Sequence, residues 1–293
     1  MAPTRIILDT DLSTGAGADV DDGFALALAH ADPDIQLDLV TTVNGNTDVE
    51  SATILTGVLL NRLGIRASDT PLVRGSATPI IHTDEERAPA PHVLALRDDA
   101  RPPTPGRYAP VAIAEHILAH PGAITVVAVG PLTNVAIALL LEPRIRTAIK
   151  ELVVVGGVFF GTMCSRARPG STARCGLVQY HQQWCQSPDS FTFFAGEATK
   201  EYIEHQAVRF PGRPRTDSIP MHGPLAVAVV SRPDLCEYRE MSVSVITGDG
   251  EARGVIIADR LETPDPPAPN CRVAVDVNAE AFRKHFLTWI QEL

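Results

Sequence analysis

Short apolar runs alternate with helix-like runs along most of this chain, and that alternation limits the folds available to it. The strand-like runs are 5–8, 37–43, 124–129 and 152–155, and the helix-like runs are 22–31, 49–63, 109–120, 132–141 and 224–231. Such alternation is typical of a mostly parallel sheet with helices on both faces. The chain is 45% hydrophobic but only 5% aromatic, so Ala, Val, Leu and Ile must build the core, as in buried parallel strands. We predict an α/β fold with a mostly parallel central sheet flanked by helices.

The rest of the chain shows neither an internal repeat nor a change of composition that would mark a boundary. We therefore predict a single domain over residues 1–293. Residues 237–278 alternate polar and apolar side chains, which predicts a small antiparallel C-terminal appendage. Residues 82–107 and 161–190 lack periodicity and are rich in turn-forming residues, which indicates long surface loops.

Charge and composition exclude several classes of partner. The formal net charge is −10, and no basic cluster alternates with aromatic residues, which argues against nucleic-acid binding. No apolar run approaches the roughly 20 residues that a membrane helix needs, and no secretory signal is recognisable. The five cysteines show no C-x-x-C spacing, which is typical of reduced thiols. We expect a cytoplasmic protein that acts on a small molecule.

A cluster of aspartates lies where the first strand leads into the first helix. Its members are Asp9, Asp11, Asp19, Asp21 and Asp22. Ligands of α/β proteins bind at this edge of the sheet. Carboxylates so close together require a cation, a shared proton or strong hydrogen bonds, and hard oxygen ligands suit calcium or magnesium. The alternative is a solvated acidic loop in which Asp19 or Asp21 caps the helix.

Four segments, taken in order, carry a family resemblance. They are Asp9-Thr10-Asp11 with Asp21-Asp22, Thr41 to Asn46, Val129 to Asn134, and His222 to Ala228. Together they resemble the inosine–uridine-preferring nucleoside hydrolase family, and the resemblance extends from Ile6 to about Phe286. It implies a nucleoside-hydrolase-like fold and a calcium-dependent enzyme that cleaves the N-glycosidic bond of a ribonucleoside. It also implies a homodimer or homotetramer.

The resemblance further implies roles for individual residues. Asp11, Asp22 and the backbone carbonyl of Val129 match the metal ligands, while Asp11, Asp21 and His222 match the catalytic groups. Carboxylates stabilise an oxocarbenium-like transition state, a bound metal activates water, and a histidine can protonate the leaving base. The substrate contacts implied by the resemblance or by position in the substrate loop are Asp21, Asn46, His181, Gln183, Trp184 and Phe159. For Trp184 and Phe159, simple packing is the alternative.

The sequence departs from the family pattern at two places that bear on chemistry. Gly223 stands where the family has an aspartate that ligates the metal, and the stretch 181–188 lacks the Glu-aromatic-Asn triplet that grips ribose. We therefore expect calcium binding to be weak or absent, unless water or Asp19 completes the shell. If no metal binds, the aspartates would share a proton. Hydrolysis of a nucleoside-like molecule is the first hypothesis. The alternatives are a repurposed lyase, cyclase or isomerase of a biosynthetic pathway, and a ligand-binding protein without turnover.

Overall fold

The computed structural model describes residues 2–14, 20–80, 91–157, 177–179, 191–209, 218–248, 250, 252–258, 267–291 and 293. Its centre is a parallel sheet of five strands in the order β3-β2-β1-β4-β5. These strands are β1 Thr4–Thr10, β2 Ile35–Thr42, β3 Leu72–Arg74, β4 Ile124–Ala128 and β5 Glu151–Val154. The chain builds outward from β1 to β3 and then returns to β4 on the other side of β1. The carboxyl ends of β1 and β4 therefore form the switch point at which open α/β sheets bind ligands.

Helices connect the strands and continue through the C-terminal half. In the part of the chain that the structure describes, they are α1 Asp21–Ala31, α2 Val49–Arg62, α3 Pro91–Leu94, α4 Ala109–Ala119, α5 Thr133–Leu141, α6 Ile145–Ala148, α7 Phe191–Arg209, α8 His222–Ser231 and α9 Ala279–Ile290. Two begin at ordinary side-chain caps: Asp48 accepts from the Ser51 N–H at 2.8 Å, and Asn278 accepts from the Ala281 N–H at 3.1 Å. Such caps satisfy backbone donors that the first turn leaves unpaired. No described helix has the length and apolarity needed to cross a membrane.

The core has two layers, one on each face of the sheet. Successive side chains of a strand point to opposite faces, so Ile6 and Leu8 pack with α1, α2, α8 and α9, while Ile7 packs with α4 and α5. Phe24 of α1 lies inside the larger layer, and its ring centroid is 5.8 Å from that of Phe286 in α9 and 5.8 Å from that of Phe191 in α7. These contacts fix α1, and with it the acid cluster at its start, against the C-terminal helix.

Antiparallel pairs complete the fold as predicted for the C-terminal region. β8 Cys236–Met241 pairs with β11 Cys271–Val277, and β9 Val243–Val245 pairs with β10 Ile256–Ala258. A third pair, β6 Leu177–Gln179 with β7 Ser218–Pro220, has no counterpart in the sequence predictions. The α/β fold with its antiparallel appendage is therefore confirmed.

Apart from α9, the elements that the sequence analysis missed are short or weakly periodic. β3 has only three residues, too few for a period to appear, and α7 lacks a clear apolar stripe. In α9 the signal was present, because Phe282, Phe286 and Ile290 recur at helical spacing and are buried. The stretch 82–107, predicted as a loop throughout, contains α3 and a 3-10 turn at Arg97–Asp99; residues 81–90 lie outside the described part.

Candidate active site

Buried aspartates meet where β1 ends and α1 begins. Asp22, in the first turn of α1, is 3% exposed, and Asp11, just after β1, is 4% exposed. The Asp22 Oδ2 atom accepts from the Thr10 hydroxyl at 2.6 Å and from the Asp11 N–H at 3.2 Å. The short loop after β1 thus folds back over the helix start, and the two carboxylates are kept from water.

The turn after β2 holds the carboxylate of Asp11 from the opposite side. The Asn46 N–H donates to Asp11 Oδ2 at 2.6 Å. A Cβ atom on Gly45 would lie 2.0 Å from the same oxygen, so only glycine permits this approach. The exit of β4 adjoins as well, because the Val129 N–H donates to the Asp9 carbonyl at 2.9 Å. Asp11, Asn46 and Val129, predicted to share one site, therefore lie at neighbouring strand ends.

Burial dominates the electrostatics of these acids. Burial raises the pKa of Asp11, and burial together with repulsion from Asp11 raises the pKa of Asp22 well above its ordinary value. Burial also raises the pKa of Asp9 to about 6, against the lowering effect of hydrogen bonds from Thr41 and Asn134. Ionised groups excluded from water in this way favour a cation or a shared proton.

The start of α8 closes the site from the C-terminal half of the chain. The Gly223 N–H donates to Asp21 Oδ2 at 2.7 Å across 202 residues of sequence. A Cβ atom on Gly223 would lie 3.4 Å from Asp21 Oδ2 and 3.5 Å from Asp22 Oδ1. Position 223 therefore faces the acids, and a side chain there would enter the cluster.

The other predicted residues divide into those placed and those not described. His222 is half-buried at the first position of α8, next to Gly223, and the Asn46 residue is exposed. The remaining candidates lie outside the described residues; they are His181, Gln183, Trp184, Phe159 and Asp19.

Asp21 does not cap the first helix. It is the first residue of α1, but the residue at the N-cap position is Val20, which makes no side-chain cap bond. The capping interpretation is therefore wrong for Asp21.

The carboxylates at this edge of the sheet have the charge that a hard divalent cation requires, but they are too few to fill its coordination shell. Asp11 and Asp22 are two buried carboxylates whose ionised forms a cation would stabilise. Among the described residues, no group of three or more acidic, histidine or cysteine side chains is arranged to hold a metal ion. Calcium takes 6–8 oxygens, so the side chains present leave most of its shell to backbone, water or substrate.

Sequence reasoning missed a buried polar network next to these acids. The Asp9 Oδ1 atom accepts from the Thr41 hydroxyl at 2.5 Å and from Asn134 Nδ2 at 2.8 Å. Asn134 is fully buried near the start of α5. The signal was available, because the polar residues Thr133 and Asn134 open an otherwise apolar helix, 133–141, and buried amides require partners.

The sequence is similar to those of known proteins over nearly its whole length. The family model described as inosine-uridine preferring nucleoside hydrolase matches residues 6–175 and 171–284. The chain is 28% identical over 310 residues to the non-specific ribonucleoside hydrolase RihC of Shigella flexneri serotype 5b, covering 98% of this chain and 97% of the relative. It is 30% identical over 319 residues to RihC of Salmonella newport, covering 100% and 98%.

Solved structures share the fold. A plant nucleoside hydrolase, the PpNRh1 enzyme, superposes with a TM-score of 0.81 at 22% identity, covering 98% of this chain and 99% of the other. The purine-preferring ribonucleoside hydrolase from Gardnerella vaginalis superposes with a TM-score of 0.77 at 23% identity, covering 99% and 98%. The matches to the family model span nearly the whole chain, which therefore belongs to the inosine-uridine preferring nucleoside hydrolase family.

Proposed function

We propose that this chain is an N-ribohydrolase that cleaves the N-glycosidic bond of a ribonucleoside or a nucleoside-like small molecule. The observation that supports this most is the 2.7 Å hydrogen bond from Gly223 N–H to Asp21 Oδ2. That contact holds the start of α8, the helix that begins at His222, against Asp21, the acid that we propose to bind ribose. Family membership and the ribonucleoside hydrolases among its relatives support the same reaction.

The proposed roles follow from how charge develops during the reaction. Cleavage of a glycosidic bond builds positive charge on the sugar ring, which the carboxylates of Asp11 and Asp21 stabilise. Asp21 also accepts a hydrogen bond from a ribose hydroxyl and so orients the ring. His222 donates a proton to the departing base, since a leaving group that accepts a proton departs more readily.

A calcium ion is proposed to bind through the carboxylates of Asp11 and Asp22 and the carbonyl of Val129. When bound, such an ion would lower the pKa of the attacking water and hold the ribose hydroxyls. Because Gly223 contributes no side-chain oxygen, we propose that binding is weak. Asp11 is held for this task by the Asn46 N–H, and Asp22 by the Thr10 hydroxyl.

We assign the contacts to the base and to the outer face of the sugar to residues other than the aspartates of the acid cluster. We propose that the exposed Asn46 side chain contacts the sugar, and that His181, Gln183, Trp184 and Phe159 contact the substrate. Aromatic side chains such as Trp184 provide a flat apolar surface for a nucleobase. The enzyme's preference among nucleobases would then depend on these residues rather than on the acid cluster.

The direct test is release of free base from inosine, uridine, adenosine and cytidine, with and without calcium. Turnover of at least one nucleoside is expected. Replacing His222→Ala should lower kcat by about 10²- to 10⁴-fold, while the control His120→Ala, beyond the C-terminal end of α4, should leave it unchanged. If no nucleoside is cleaved at high enzyme concentration, hydrolysis is refuted. Tight ligand retention in native mass spectrometry would then favour a binding protein, and its absence a changed reaction.

We also propose that the chain forms a homodimer or homotetramer. The C-terminal part of α5 carries Leu139, Leu140 and Leu141, which are 36%, 71% and 59% exposed. Contiguous apolar surface of this kind is often covered by a protein partner. Sedimentation of the purified protein at monomer mass would contradict the assignment.

A further inference from the structure

Asn134 is a buried amide whose hydrogen bonds reach the ends of three strands other than the one it follows. Its Nδ2 atom donates to Asp9 Oδ1 at 2.8 Å and to the Thr42 carbonyl at 2.9 Å. Its Oδ1 atom accepts from the Ser76 N–H at 2.9 Å. Only an amide side chain provides donors and an acceptor together at this size without a charge. One side chain at the start of α5 therefore joins the exits of β1, β2 and β3.

The Ser76 contact continues to Asp11 through the turn after β2. The Ser76 carbonyl accepts from the Asn44 N–H at 3.0 Å, and two residues later the Asn46 N–H donates to Asp11 Oδ2 at 2.6 Å. Gly45, between them, lies so close to Asp11 that a Cβ atom would be 2.0 Å from its Oδ2. The turn therefore has little room to move without displacing the carboxylate.

A second route runs through β1 itself. Asp9 lies two residues before Asp11, and its Oδ1 atom accepts from Thr41 and Asn134. Its Oδ2 atom is buried without a hydrogen-bond partner among the described residues. The orientation of the Asp9 side chain, and with it the end of β1, therefore depends on the two donors to Oδ1.

We propose that Asn134 is a positioning residue that aims the carboxylate of Asp11 from two sides, through the Asn44–Asn46 turn and through Asp9. It touches no reacting atom. The consequence for turnover rests on the proposed function, in which Asp11 takes part in nucleoside hydrolysis. A displacement of about 1 Å at a catalytic group can lower the rate by about 10²-fold, so the effect should be large in kcat and smaller in KM.

The Asn46 amide offers a readout that does not depend on activity. The dipeptide Gly-Asn occurs once in the sequence, at 45–46. Protein labelled with carbonyl-¹³C glycine and ¹⁵N asparagine therefore gives one carbonyl-coupled amide signal, that of Asn46. In Asn134→Ala we expect this signal to move upfield and its hydrogen exchange to accelerate by about tenfold or more, as the bond to Asp11 weakens.

The matched control removes a buried hydrogen bond at the opposite end of the sheet. Thr70 is buried, and its hydroxyl donates to the Leu37 carbonyl at 2.8 Å near the start of β2. Thr70→Val should lower the melting temperature while leaving the Asn46 signal in place. A role for Asn134 in general stability alone would give the same result for Asn134→Ala.

A reversed pair keeps the test decisive if Asn134→Ala does not fold. Asn134→Asp alone places a carboxylate against Asp9. Asn134→Asp with Asp9→Asn restores the hydrogen bond between these two positions with donor and acceptor exchanged, although the Thr42 carbonyl still lacks the donor that Asn134 provides. We expect the double variant to return the Asn46 signal toward its original position. A folded Asn134→Ala with an unchanged signal, or a double variant no closer to the parent than Asn134→Asp, overturns the proposal. If the parent cleaves no nucleoside, the proposed function fails, and the Asn46 signal still decides this inference.

Discussion

Replacing Gly223→Asp tests the interpretation of the acid cluster most directly. The Cβ position at residue 223 is 3.5 Å from Asp22 Oδ1 and 3.4 Å from Asp21 Oδ2. A carboxylate added there comes within about 4 Å of both, and each like-charge pair at that separation costs about 4 kcal/mol at an effective dielectric constant near 20. Protonation limits the cost, because holding an acid neutral at pH 7, about three units above its usual pKa, also costs about 4 kcal/mol.

Calcium should reverse that penalty. Without calcium, the variant should unfold about 4 kcal/mol more easily than the parent and melt about 8 °C lower. With calcium, the added carboxylate becomes the third carboxylate ligand of the ion and its repulsion is relieved, so the affinity for calcium should tighten by about 10³-fold. Gly223→Asn is the matched control, since it adds nearly the same volume without the charge and should show neither effect in full.

Two measurements decide the outcome. Thermal unfolding of chelator-treated protein gives the penalty, and calorimetric titration of calcium gives the affinities of parent and variant. If Gly223→Asp melts with the parent in chelator, or binds calcium no more tightly, position 223 does not belong to a cation site. Submicromolar calcium binding by the parent would refute the weak site.

Three further outcomes follow from the described contacts. The pKa of Asp9 is raised to about 6, so above about pH 4 Asp9 loses its proton in the unfolded chain while the folded protein retains it. Between about pH 4 and pH 7 the free energy of unfolding of the parent should therefore fall by about 3 kcal/mol relative to that of Asp9→Asn. Urea denaturation of chelator-treated protein measures this, and parallel pH dependences of the two proteins would contradict it. The pKa of Asp32 is lowered by hydrogen bonds from His285 and Ser231 that outweigh the effect of burial. The contribution of ionised Asp32 to the free energy of unfolding is therefore present above pH 3.8 and is lost at lower pH. Asp32→Asn should lose less stability in acid than the parent, and equal acid sensitivity of the two proteins would exclude this contribution. Phe286→Ala removes a fully buried ring that packs against α1 and should lower the free energy of unfolding by about 3–5 kcal/mol. A loss below about 1 kcal/mol would contradict the packing of α9 against α1.

Much of the architecture can be predicted from local pattern. The strand-like runs 5–8 and 124–129 became β1 and β4, and the helix-like run 22–31 became α1. This works because backbone geometry imposes periods of 2 and 3.6 on side chains that must be buried. The position of the aspartates was predictable for the same reason, since the loop between a strand and the following helix lies at the carboxyl ends of the strands, where α/β sheets bind ligands.

The hydrogen-bond partners and the burial of those aspartates are set by the tertiary structure alone. The bond from the Gly223 N–H to Asp21 joins residues 202 positions apart, and nothing local to either residue indicates it. The raised pKa of Asp9 and the three-way contact of Asn134 likewise arise only when four strand ends are brought together and closed to water. Periodicity records which side chains are buried, but hydrogen-bond partners and desolvation depend on which distant segments meet, and that is set by packing of the whole chain.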